Sequence, residues 1–247
     1  MKAMTMVYGS VCYLLSVAAL VLFILFANNH LGIVGLGALN IDAVRSGGDG
    51  AAMPVNMALL ALFAVQHSVM ARPGFKAQLT RLIPASWERS TYVLATALVL
   101  FALVWWWRPM PDLLWSVQSE TGRLAITIGY YSGWLVTFLA TFMLNHFHLF
   151  GLQQSFHSAD PDAGTKEFKT PLFYRIVRHP IQSGVIIAMV CTPDMSAGRA
   201  LLALGMLVYI AIGLYFEERD LIAQFGQTYA DYKARVPAVV PFFKRGD

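Results

Sequence analysis

Arg178-His179-Pro180-Ile181-Gln182-Ser183-Gly184 places a cation, an imidazole and a helix-starting proline side by side. Further along come Glu217-Glu218, Phe225-Gly226, Tyr229, Tyr232, Val236-Pro237 and Pro241. Pro180 suits the first position of a helix, where the opening backbone N–H groups have no partner inside the helix. Such a terminus can receive a carboxylate or a hydroxyl group. Lys169, Arg175 and Arg178 surround it and could pair with an acid, and Ser183 and Gly184 leave room for close approach. Glu217 and Glu218 are adjacent, so on a helix they point about 100° apart and cannot form a close carboxylate dyad. One can face an ammonium or sulfonium group while the other meets Arg178, Arg219 or water. Tyr174 and Tyr215 offer ring faces to a flat base or a cation. Taken singly, each residue has a plainer role, the arginines as membrane-surface charges and Glu218 as a partner of Arg219. Their occurrence together, in this order, favours chemistry.

The elements that must position these residues are apolar. The chain has 247 residues, 57% hydrophobic and only 13% charged, with a mean hydropathy of +0.56. Soluble domains carry about 25% charged residues, so an ordinary soluble fold is excluded. Largely uncharged runs at 7–27, 53–71, 91–107, 124–144 and 201–216 are long enough to cross a hydrocarbon core of about 30 Å. A sixth run, 180–192, is short and fits either the first arm of a hairpin or a re-entrant segment. The opening run exceeds the length of a secretory signal and lacks a cleanly placed small-residue cleavage site, so it reads as the first span. With the N-terminus inside and spans alternating, fourteen of the Lys and Arg residues fall on one side. Only Arg45, Arg108, Arg123 and Arg199 fall on the other. That asymmetry places both termini and the 166–179 and 217–232 segments on the cytoplasmic side of the membrane. The net charge of +4 is then mostly topology, and no basic stripe with interleaved aromatics supports nucleic-acid binding.

The fold expected is an all-α polytopic membrane bundle, five spans plus a short helical arm, read as one domain over 1–247. Residues 1–144 supply the N-terminal spans and 145–247 the polar C-terminal part. The Gly-rich segment within 28–52 reads as a flexible outer loop, because Gly32, Gly35 and Gly37 lack the strand-before, helix-after context of a nucleotide loop. Phe75, Leu79, Leu82 and Ile83 with Lys76 and Arg81 predict a short interfacial helix ended by Pro84. Trp105, Trp106 and Trp107 fit headgroup-level anchors. Asp160-Pro161-Asp162-Ala163-Gly164 marks a turn within a long polar stretch. Residues 216–235 read as one amphipathic surface helix stopped by Pro237. Cys12 and Cys191 sit in apolar runs and read as small buried hydrophobes. His146 and His148 lie two apart and cannot share a helix face, so no metal site is expected.

The ordered set of Arg-His-Pro, paired Glu and Phe-Gly-x-x-Tyr-x-x-Tyr resembles the C-terminal signature of integral-membrane methyltransferases that use S-adenosylmethionine. Isoprenylcysteine carboxyl methyltransferases and phospholipid N-methyltransferases are the best-known members. The resemblance implies that residues 166–169, Tyr174, His179-Pro180 and Gln182 line the cofactor site. Two departures stand out. Many relatives carry Tyr at the position of Gln182, and the Arg that serves a carboxylate acceptor is here Ala211. The second points to a small neutral acceptor. Gln66-His67-Ser68, Glu88-Arg89-Ser90-x-Tyr92 and Asn145-His146-Phe147-x-Leu149-Phe150-Gly151-Leu152 extend the likeness over nearly the whole chain. This set is similar to the NnrU-like branch, most closely to bacterial methanethiol S-methyltransferases.

Residues and resemblance together give a candidate cofactor site of Gln154, Lys166, Lys169, Tyr174, Arg178, His179, Pro180, Gln182, Gly184, Tyr215, Glu217 and Glu218. The catalytic candidates are His67, Asn145, His146 and His179. His67 fits equally a functional residue within a span and a hydrogen-bonded helix contact. The reaction implied is S-methylation of a small thiol, methanethiol to dimethyl sulfide and also hydrogen sulfide to methanethiol, with membrane lipids as the surroundings. In it a thiolate attacks the methyl group in line, within an apolar pocket built from the inner ends of the second and fourth spans and capped by 151–154. His146 or His179 would accept the proton. The rival readings are a membrane methyltransferase for a lipid or prenylated substrate and a non-catalytic NnrU-like membrane protein. A small-molecule carrier ranks last, because only the 180–193 region looks broken.

Overall fold

The computed structural model describes residues 2–43, 50–156 and 168–241. Among the described residues five helices are long and apolar enough to cross a membrane. They are α1 (Lys2–Ala27), α2 (Ala52–Met70), α4 (Ala85–Trp106), α5 (Glu120–Met143) and α9 (Ala197–Phe225). Between and after them lie α3 (Pro73–Leu79), α6 (His146–Leu149), α7 (Leu152–Phe156), α8 (Pro180–Val190) and α10 (Gln227–Arg235). By internal contacts the chain divides into two units. One comprises Met1–Ser116, Phe147–Pro161 and Asp194–Gly205, the other Val117–His146, Asp162–Pro193 and Met206–Asp247.

In the first unit α1 packs on α4. The buried face of α1 carries Cys12, Ser16, Ala19, Phe23 and Phe26, at helical spacing, and α4 answers with Tyr92, Val93, Ala97, Leu100 and Leu103. Polar side chains pin the pair at one end: Tyr8 stacks on Trp87 with ring centroids 4.4 Å apart, and Trp87 Nε1 donates to Thr5 Oγ1 at 3.1 Å. Buried Asn56 of α2 donates to the Arg108 carbonyl at 2.7 Å and accepts from its N–H at 2.9 Å, which fixes the chain leaving α4. Trp105 and Trp106 are exposed as anchors should be, whereas Trp107 is buried edge-on against Phe26. The three tryptophans therefore do not share one role.

The described part of the Gly-rich segment is more ordered than the sequence suggests. It forms two short 3-10 turns, Leu31–Val34 and Gly37–Leu39. It is held where Arg199 Nε meets Asp42 at 2.9 Å and Asn29 Nδ2 donates to Asp42 at 2.8 Å. Gly47, Gly48 and Asp49, and the turn at 160–164, lie outside the described residues. A strand pair, β1 (Leu113–Ser116) with β2 (Asp194–Ser196), is antiparallel and was not foreseen. The short helix α3 occupies the predicted interfacial segment.

In the second unit α8 lies along α5 at very close range. A Cβ at Gly184 would stand 2.3 Å from the Gly133 carbonyl oxygen, and one at Gly133 would stand 2.5 Å from that of Gly184. The two glycines let the backbones touch, and Thr137 Oγ1 donates to the Ile181 carbonyl at 3.0 Å across the seam. At 11 residues α8 is about 16 Å long, roughly half a hydrocarbon core. Helix α9 continues nine residues past the end of the expected span, to Phe225. The predicted single helix over 216–235 is therefore two pieces. Gly226, at φ +57 and ψ −131, breaks them in a conformation that side chains disfavour, and α10 starts anew.

Candidate functional site

A cavity of about 740 Å³ lies in the second unit. Its wall is built from the end of α5 (Met143, Leu144, Asn145), the 168–182 segment and one face of α9 (Glu217, Leu221, Gln224, Phe225). Tyr229 and Tyr232 of α10 complete it. From 168–182 come Phe168, Lys169, Tyr174, Arg178, His179, Ile181 and Gln182. The spacing of Glu217, Leu221, Gln224 and Phe225 is one helical face, a signal that could have extended the candidate list from the glutamate pair. Asn145 stands just past the end of α5 at φ +79, a left-handed position asparagine tolerates better than most residues.

Beside the cavity the adjacent glutamates separate as helix geometry requires. Glu218 Oε1 accepts from Arg178 Nε at 2.7 Å, from Arg178 Nη2 and from His179 Nε2 at 3.2 Å, and its Oε2 meets Lys233 Nζ at 2.8 Å. The remaining Arg178 nitrogen donates to the carbonyls of Lys233 and Val236. Glu218 and Arg178 are thus committed to one another and to the protein backbone. Arg178 stands in the cavity wall with these bonds made, and Glu218 is absent from that wall. Glu217 remains in the wall, half exposed, with Gln182 Nε2 donating to it at 3.4 Å and the His179 Nδ1 atom standing 3.7 Å away. The buried His179 ring reaches both carboxylates.

The C-terminal strap holds this arrangement. Four successive carbonyls, of Val236, Pro237, Ala238 and Val239, accept in turn from the Arg178 side chain, Arg178 N–H, His179 N–H and Ser183 Oγ. Ser183 therefore faces the strap, and the room left by Gly184 is filled by α5. Neither opens space for a ligand. Pro180 is fully buried at the start of α8, while the two residues after it, Ile181 and Gln182, face the cavity. An aromatic group closes the other side. Phe168 lies 5.4 Å from Phe225, 5.7 Å from Tyr229 and 5.1 Å from Tyr232, centroid to centroid. Tyr232 donates from its hydroxyl to the Tyr174 carbonyl at 2.5 Å. Burial pushes the Tyr174 and Tyr229 phenols above their ordinary value and that of Tyr232 to about 12, so all three stay protonated.

Other candidates lie elsewhere. His146 is buried beside the end of α5, its ring stacked on Phe142 at 4.3 Å and its Nδ1 2.8 Å from Thr141 Oγ1. Burial lowers its pKa, which keeps it neutral near pH 7. His67 belongs to the first unit, with Nε2 2.8 Å from Tyr92 Oη and Nδ1 3.2 Å from Thr96 Oγ1. Both nitrogens are engaged by α4, the geometry of a helix–helix contact. Gln154 is also in the first unit and donates to the His148 carbonyl at 3.0 Å. Tyr215 is exposed and outside the cavity wall, as is Ala211. Lys166 lies outside the described residues. Among those residues no three His, Cys, Asp or Glu side chains could hold a metal ion.

A family model described as NnrU protein matches residues 56–239. The chain is 45% identical over 231 residues to methanethiol S-methyltransferase 2 of Bradyrhizobium diazoefficiens, covering 92% of this chain and 88% of the relative. It is 42% identical over 244 residues to methanethiol S-methyltransferase of Mycobacterium tuberculosis, covering 98% and 97%. A weaker likeness, 29% over 175 residues, covering 67% of this chain and 66% of the relative, is to nurim of Sus scrofa. No solved structure matches the chain.

Proposed function

Because this chain belongs to the NnrU family, we propose that it is a membrane S-methyltransferase that converts methanethiol to dimethyl sulfide with S-adenosylmethionine as methyl donor. The observation that carries the reading is the second-unit cavity, in which a half-exposed carboxylate, Glu217, shares a wall with an aromatic group at Phe168, Phe225, Tyr229 and Tyr232. Relatives aligned over nearly the full chain bear the methanethiol S-methyltransferase name.

The wall suits the donor. Its volume falls within the roughly 300–1,000 Å³ of small-molecule sites. Glu217 supplies negative charge for an ammonium or sulfonium, Lys169 positive charge for a carboxylate, and the rings supply faces for a nucleoside base. When bound, S-adenosylmethionine supplies an electrophilic methyl group on a positive sulfur. That chemistry would be transfer of the methyl group to a thiolate sulfur, with S-adenosylhomocysteine left behind and the thiol proton passed to residues of the wall. Opposite charges cancel in that step, so the apolar side chains of Met143, Leu144 and Ile181 in the wall favour it. Small thiols are largely protonated at pH 7, and Glu217 with His179 are the proton acceptors in this wall. Glu218, bonded to Arg178 and Lys233, holds the His179 ring in place from behind the wall.

The excess of Lys and Arg on one side of the expected topology supports a cytoplasmic site, where the donor is made. Purified protein with labelled donor tests the whole reading. Methanethiol should be methylated, faster than hexanethiol, phosphatidylethanolamine or a prenylated cysteine. Faster methylation of any of the larger acceptors would transfer the assignment to the lipid type, and no methylation at all would reject catalysis.

A further inference from the structure

One polar atom in the aromatic wall has nothing to bond. Tyr229 is 1% exposed and lines the cavity, yet its hydroxyl has no hydrogen-bond partner among the described residues. Its neighbour on α10, Tyr232, differs. That hydroxyl ties α10 to the Tyr174 carbonyl at 2.5 Å. Two tyrosines three positions apart on one helix face thus divide, one fastening the wall and the other left uncommitted within it. Buried hydroxyls without partners are rare, because the lost hydration is not recovered.

The surroundings define what would satisfy it. Phe168 stands edge-on to the Tyr229 ring at 5.7 Å, Tyr232 lies at 5.8 Å, and Phe225 closes the group through Phe168 at 5.4 Å. Burial, reinforced by the charge of Glu218, pushes the phenol up and keeps it protonated, so it acts as a donor. An aromatic box with one buried O–H donor fits a planar ring that carries acceptor nitrogens: the faces meet aromatic partners and a nitrogen meets the proton. An alkyl chain would leave the hydroxyl unpaired, and a cation would be drawn to Glu217 instead. We propose that the box of Phe168, Phe225, Tyr229 and Tyr232 seats the purine ring of the methyl donor, with the Tyr229 hydroxyl donating to a purine ring nitrogen. This rests on the reading of the cavity as an S-adenosylmethionine site.

The test is calorimetric binding of S-adenosylhomocysteine to the wild type and to Tyr229→Phe. A series of analogues, each with one ring nitrogen replaced by CH, is titrated against both proteins. Tyr229→Phe should bind S-adenosylhomocysteine about tenfold more weakly. One analogue should lose the same factor on the wild type and nothing further on the variant. The unliganded variant should melt no lower than the wild type, because no bond is removed. Unchanged affinity in Tyr229→Phe, an identical analogue profile on both proteins, or a lowered melting temperature of the unliganded variant would each overturn the assignment. Failure of S-adenosylhomocysteine to bind the wild type would overturn the cofactor reading itself, and the assignment with it.

Discussion

Glu217 and Glu218 are adjacent in the chain and opposite in role, because successive helical residues diverge by about 100°. Glu218 balances Arg178, His179 and Lys233 at distances of 2.5 to 3.2 Å, while Glu217 faces the cavity. Glu218→Gln leaves the nearly buried Arg178 guanidinium without its counter-charge, which costs about 3 kcal/mol. The expected result is a clearly lower melting temperature in detergent. Glu217→Gln should melt like the wild type but bind S-adenosylhomocysteine about tenfold more weakly, through loss of a charge-assisted contact. The opposite pattern, with Glu217→Gln unstable and Glu218→Gln merely weak in binding, would mean the two carboxylates had been assigned the wrong way round.

Among the elements, two glycines set the site for different reasons. Gly184→Ala drives a Cβ to within 2.3 Å of the Gly133 carbonyl oxygen, so α8 must move off α5, at about 1–3 kcal/mol. Thermal unfolding should report the loss. Gly226→Ala meets no neighbouring atom, yet its backbone lies in a region essentially reserved for glycine, at about 1–3 kcal/mol of strain. Relief would turn α10 and carry Tyr229 and Tyr232 with it, so cofactor affinity should fall more than helix content measured by circular dichroism. The five long helices were legible because length and hydropathy alone decide them. The continuation of α9 through Glu217–Phe225 was not, since a polar amphipathic turn reads the same whether it extends a span or begins a new helix. The strand pair was hidden because residues 113–116 and 194–196 form it only by meeting each other. Within the site, order and residue type marked Lys169, Tyr174, His179, Gln182 and Glu217, all of which the wall contains. The commitment of Arg178 could not be read, because it depends on carbonyls of a strap some sixty residues on, a type of partner no side-chain pattern encodes.

For the whole molecule, the charge asymmetry predicts sidedness. In a Cys12→Ala, Cys191→Ala background, a cysteine at exposed Thr228 should be labelled only from the cytoplasm and one at exposed Ile33 only from outside. Labelling of Thr228→Cys from outside would remove the route by which a cytoplasmic donor reaches the cavity. The length of α9 has a further consequence. From residue 200 to 216 it carries no charge, a stretch of about 26 Å, a little shorter than an average hydrocarbon core. Glu217 follows at once, so the helix works as a ruler with its first acidic mark at the headgroup level. A thicker bilayer would draw that mark toward the acyl chains or force local thinning, at fractions of a kcal/mol per Å of mismatch. Reconstituted into vesicles of increasing acyl length, the protein should bind S-adenosylhomocysteine progressively more weakly, and the membrane it resides in would then act as a tuner of its affinity for the donor.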